Sequence, residues 1–175
     1  MKPALLMLLG LLVIAPFASA ADWLNWRKVG AATLTWGPFT IYTSQLHTPD
    51  GRYRGLSEDL ALIITYQRSI ARQELVDATR EQWQAQGILA REAQSESWLR
   101  RLGQLWPDVA PGTQLAFVLQ EKQGQFWYRP SATQRGFTPL GPPLSAALSE
   151  NFLAIWLGSH TQYPELRQQL IGGEK

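Results

Sequence analysis

The chain has 175 residues, 16 lysines and arginines against 14 acids, a net charge of +2 and no cysteine. A near-neutral chain without a basic stripe lacks the electrostatics of phosphate-backbone binding, so nucleic acid is excluded as a partner class. Zero cysteine removes thiol catalysis, redox motifs and thiolate zinc sites. With only two histidines, His47 and His160, a histidine-rich metal site is not expected either, and no metal or cofactor is assigned.

Met1 to Ala20 has the three parts of a secretory signal peptide. Lys2 supplies the positive start, Leu5 to Ile14 the apolar run, and Ala18-Ser19-Ala20 the small residues a peptidase accommodates. The run ends at Pro16, short of the roughly 20 apolar residues that span a bilayer. Cleavage near Ala20 is expected, leaving residues 21–175 as a periplasmic or secreted domain without a transmembrane anchor. That length suits one domain with its own core. Eight tryptophans follow Ala20, and the core is their default place.

Ala31 to Leu46 reads as two strands, or one bent strand, broken at Gly37-Pro38. His47 to Gly51 reads as a turn. Leu60 to Tyr66, a continuous apolar run of strand length, suggests a strand buried on both faces. Helical spacing follows at Ile70, Val76, Thr79 and Trp83, with Gly87 as a stop. A second helix is capped by Ser95 and carries the stripe Trp98, Leu99, Leu102, Leu105 and Trp106 before Pro107. Gln114 to Gln120 reads as a strand, joined through a turn at Lys122-Gln123-Gly124 to a strand over Gln125 to Tyr128. Gly136 to Leu140 adds a short strand, halted by Gly141-Pro142-Pro143. Ala147, Leu148, Phe152, Ile155 and Trp156 share a helical face up to Gly158, and a last helix runs from Pro164 to Leu170. Strands and helices grouped in this way predict an α+β domain, an antiparallel sheet covered on one face.

Catalytic signatures are missing: there is no Gly-x-Ser-x-Gly elbow, phosphate-cradling glycine loop or His-Glu-x-x-His. Glu58-Asp59 reads as a solvated loop and Arg100-Arg101 as an exposed helix face. His160 suits the end of a helix dipole. Tyr66, Arg68 and Arg72 lie where the buried strand gives way to a helix, with Tyr42 on a neighbouring strand. Arg68 and a tyrosine hydroxyl together suit a ligand carboxylate; alternatively, Arg68 pairs with a nearby acid such as Glu74. No catalytic residue is assigned, and the ligand-binding candidates are Tyr42, Tyr66 and Arg68.

Val29-Gly30, Trp36, and the strand Phe39-x-Ile41-Tyr42-x-x-x-Leu46 resemble the opening strands of the bacterial chalcone isomerase-like family. The strand through Tyr66 with Arg68, Leu105-Trp106-Pro107-Asp108-Val109 with Gly112, Ala154 to Gly158, and Pro164-x-Leu166-Arg167-x-x-Leu170 continue the resemblance in order. It implies an open-faced β-sandwich: a curved antiparallel sheet with helices on one side and a cleft between them. It also implies either chalcone cyclisation, through an arginine on an early strand, or fatty-acid binding through an arginine and a tyrosine. Val29 to Thr40 contains no arginine, and without a cation the developing enolate loses a stabilisation of about a few kcal/mol per donor. The expected function is therefore non-catalytic binding of a small apolar or fatty-acid-like ligand in that cleft. The alternatives are an isomerase or intramolecular lyase using Tyr42, Tyr66 and Arg68, and an envelope interaction module presenting Trp23 and Trp26.

Overall fold

A computed structural model of the chain describes residues 22–173. The signal-peptide reading of residues 1–20 lies outside the described residues. A short 3-10 turn (Asp22–Asn25) leads into six strands: β1 (Arg27–Trp36), β2 (Phe39–Thr48), β3 (Leu60–Tyr66), β4 (Gln114–Gln120), β5 (Gln123–Arg129) and β6 (Thr138–Leu144). Each pairs antiparallel with the next, so spatial order follows chain order and the sheet is open. Between β3 and β4 the chain forms α1 (Arg72–Ala85), the one-turn α2 (Ile88–Arg91) and α3 (Ser95–Leu105). After β6 come α4 (Ala146–Leu157) and α5 (Pro164–Leu170). The architecture is α+β, with the helices on one face.

Two apolar faces explain the unbroken Leu60–Tyr66 run. Leu60, Leu62 and Ile64 meet Leu119, Phe117 and Leu115 across the β3–β4 ladder and build the main core beneath the helices. Ala61, Ala116 and Val118 alternate onto the opposite face. There Trp23, Trp127 and Phe137 form a second core, with the Trp23 ring 5.9 Å from Trp127 and 5.1 Å from Phe137. This corrects the expectation that Trp23 presents a partner patch. It is only 2% exposed, because two alanines on adjacent strands leave a hollow that a large ring fills. Trp26 is half-buried beside it.

The turn between β4 and β5 also differs from expectation. It is made by Glu121 and Lys122, both at positive φ (51° and 64°), and the Glu121 N–H donates to the Asp59 carboxylate at 2.9 Å. Gly124 is needed for space instead. It lies within β5, and a Cβ there would collide with the Ser149 hydroxyl of α4 and the Phe117 ring. Gly30 answers the same demand on β1, where the carbonyls of Gln169 and Leu170 in α5 sit directly over it.

β6 runs on through Gly141-Pro142-Pro143 to Leu144. An edge strand tolerates prolines that an inner strand cannot, because its outer row of N–H groups has no partner to lose. His47 and Thr48 likewise extend β2 rather than entering the turn. The His47 ring is held between the Trp26 carbonyl (3.1 Å) and Gln45 (3.0 Å). Ser95 opens α3 from its first turn rather than capping it; its hydroxyl donates to the Leu89 carbonyl at 3.3 Å. No described helix is long and apolar enough to cross a membrane.

Candidate functional site

Between the helix-facing side of the sheet and helices α1 and α4 lies a cavity of about 220 Å³. Its sheet wall carries Leu62, Ile64, Phe117 and Phe126, and its helix wall Leu75, Phe152 and Trp156. The aromatic rings of the two walls meet edge to face. Phe117 and Phe126 are 4.7 Å apart, Phe126 and Phe152 5.0 Å, and Phe152 and Trp156 5.0 Å.

Tyr42 and Tyr66 also line the cavity. Their meeting follows from strand register: they are direct partners in the β2–β3 ladder, with rings 6.1 Å apart and nearly perpendicular. The Tyr42 hydroxyl accepts the Trp156 indole N–H at 2.8 Å, and donates its own proton to no described residue. The Tyr66 hydroxyl has no hydrogen bond to any described residue, although Tyr66 is only 6% exposed. Burial pushes both phenols well above their ordinary pKa, and the Trp156 N–H opposes this only in part at Tyr42. Both therefore stay neutral and keep a proton to donate.

Arg68, the third candidate, does not line this cavity. It is exposed, and its guanidinium lies 5.0 Å over the Phe39 ring. Gln67 still donates to the Ile41 carbonyl at 2.9 Å, continuing the ladder. One residue further the neighbour is the β1–β2 hairpin tip, where Trp36 (76% exposed) and Phe39 (54%) flank Gly37-Pro38. The alternative pairing with Glu74 is not formed among the described residues: that carboxylate accepts the Ala71 N–H at 2.8 Å and caps α1.

The rim of the cavity is acidic and amide-bearing. Glu74, Glu81 and Gln82 project from α1, and Tyr163 precedes α5. Gln82 donates to the Tyr163 hydroxyl at 3.2 Å, while its own amide oxygen is buried without a partner among the described residues. Burial, and then the Glu81 charge, raise the Tyr163 pKa. No arginine, lysine or histidine occurs among the described residues of the lining. His160 borders a separate surface hollow with Arg91 and Glu150. No cluster of three or more acidic or histidine side chains suited to a metal is found among the described residues.

Trp156 was legible from sequence only as one apolar position on a helical stripe; its role against Tyr42 depends on where α4 lands. Gln82 gave no signal at all, as a glutamine in a polar helix is ordinary.

No family model matches the chain. An uncharacterized protein of Haemophilus influenzae (strain ATCC 51907 / DSM 11121 / KW20 / Rd) is 26% identical over 159 residues, covering 91% of this chain and 74% of that protein. The chain is thus similar to that protein over most of both lengths.

Proposed function

We propose that this is an exported, non-catalytic binding protein of chalcone isomerase-like type, holding a small apolar molecule between the sheet and helices α1 and α4. One observation carries the reading: an aromatic-walled cavity is lined by Trp106 and Gln82, whose indole nitrogen and amide oxygen are buried without a partner among the described residues. Buried polar groups are almost always hydrogen-bonded, so an unpartnered one facing a cavity argues for a ligand or water there. An open antiparallel sheet with helices on one face agrees with the architecture the resemblance implies. Binding is favoured over turnover because no cation lines the described cavity to stabilise an enolate or phenolate. Export rests on the charged start, apolar run and small-residue triplet of residues 1–20.

Mild native mass spectrometry of protein taken from its own compartment tests the reading. A reproducible small-molecule adduct, lost when the exposed lining position Ala78 is enlarged by Ala78→Phe to obstruct the cavity, is expected. Protein that is always ligand-free and has no affinity for any apolar probe would end it.

A second reading, an envelope interaction module, draws on the hairpin tip, where Trp36 and Phe39 are exposed beside Arg68. Crosslinking in the producing cell from position 36 is expected to trap one partner if this reading is right. Equal recovery from a Trp36→Ser, Phe39→Ser chain, crosslinked from a neighbouring position, would remove it.

A further inference from the structure

Resting on the binding reading above, we infer that the cavity selects an uncharged molecule of about one ring, with an oxygen acceptor toward Tyr42 and Tyr66, and rejects carboxylates.

Size sets the first limit. A dry apolar cavity of roughly 150 Å³ accepts benzene, and pockets that bury a drug-sized molecule run from about 300 to 1,000 Å³. At about 220 Å³ this one encloses a single ring with a short substituent, or a short chain. A long-chain fatty acid or a three-ring flavanone would leave much of its length outside.

Charge sets the second. A carboxylate drawn into an apolar site needs a cation or several donors to offset lost hydration. The described lining residues include no cation, and Arg68 is held outside over Phe39. The nearest fixed charges are the Glu74 and Glu81 carboxylates at the rim, which repel an anion as it enters.

Donor chemistry sets the third. Tyr42 uses its oxygen to accept from Trp156 and donates to no described residue, and the Tyr66 hydroxyl has no hydrogen bond among the described residues. Two neutral O–H donors on adjacent strands suit a ketone, aldehyde, ether or hydroxyl oxygen. Toward the rim, the unpartnered Gln82 amide oxygen suits a donor on the outer end of the molecule.

Acetophenone and benzoate are close in size and differ in charge, which makes them the test. Binding of each to the full-length mature chain is followed at pH 7 by calorimetry and by the NMR signal of the Trp156 indole N–H. Acetophenone is expected to bind at least tenfold more tightly. Tyr66→Phe should weaken acetophenone about fivefold, the usual effect of one neutral hydrogen bond. Glu81→Gln, at the rim, should improve benzoate severalfold relative to acetophenone. Benzoate binding as tightly as acetophenone would overturn the selectivity while leaving the cavity reading in place. If neither molecule binds, nor any neutral one-ring probe, the cavity reading fails and the selectivity falls with it.

Discussion

The Trp156 indole N–H and the Tyr42 hydroxyl, 114 positions apart in the chain, meet at 2.8 Å and tie α4 to β2 across one wall of the cavity. Each is a buried polar group whose removal strands the other. Tyr42→Phe is expected to cost about 1–3 kcal/mol, since it leaves a buried indole N–H unpaired. Trp156→Phe loses the same bond together with packing. The double variant should cost less than the sum of the two by about 0.5 kcal/mol or more. Urea unfolding of the four chains measures this; strict additivity would mean that the bond contributes nothing.

The β4–β5 turn separates two demands on backbone and space. Lys122 holds φ at 64°, a conformation costing an L-residue about 1–2 kcal/mol. Lys122→Gly should therefore stabilise by about 0.5 kcal/mol, the remainder being lost to the greater freedom of the unfolded chain. Gly124→Ala should act the other way and cost about 1–3 kcal/mol by overpacking against Ser149 and Phe117. Thermal melts of the two variants are expected to shift in opposite directions.

The tyrosine pair should shape the alkaline limb of stability. Tyr42 and Tyr66 have folded pKa values raised above 10.0, so the folded chain holds their protons after the unfolded chain has released them. Their contribution is intact below about pH 10 and is lost as pH rises beyond it. Denaturation midpoints measured from pH 9 to 12 should fall less steeply in Tyr66→Phe than in the parent chain. An unchanged slope would show that the phenol is not shielded from water.

On the outer face of the sheet, the indole nitrogens of Trp23 and Trp127 are buried without partners among the described residues. Trp23→Phe therefore sacrifices no hydrogen bond and should cost less than about 1.5 kcal/mol. Trp23→Ala empties the hollow over Ala61 and Ala116 and should cost about 3–5 kcal/mol. Chemical denaturation distinguishes the two, and near-equal losses would point to the indole N–H rather than ring volume.

These positions also show what the sequence carries. The run Leu60–Tyr66 announces two-sided burial because every residue is apolar or β-branched, and β3 is sandwiched accordingly. The stripe on α3 was legible for the same reason: Trp98, Leu99 and Leu102 recur at the helical period and all three are buried. Tyr42 and Tyr66 could be named because each closes or flanks a strand, although their ladder partnership needed the register. Arg68 could not be placed. Its surroundings depend on the β1–β2 hairpin reaching past the end of β3, a property of relative strand lengths rather than of local pattern. Trp23 was hidden similarly, since only the three-dimensional pairing of β3 with β4 brings Ala61 and Ala116 beneath it. Gly124 carried a glycine's usual turn signal, yet its requirement comes from a helix that follows 22 residues later at Ala146.

The prolines of β6 limit how this protein can assemble. An open sheet has two rims on which a second chain can add a strand, but in the segment Thr138–Leu144 three of seven residues have no N–H to offer. Growth there is blocked, which leaves the β1 rim. Strand addition at the β6 rim is thus disfavoured, which removes one of the two routes to open-ended growth through the sheet.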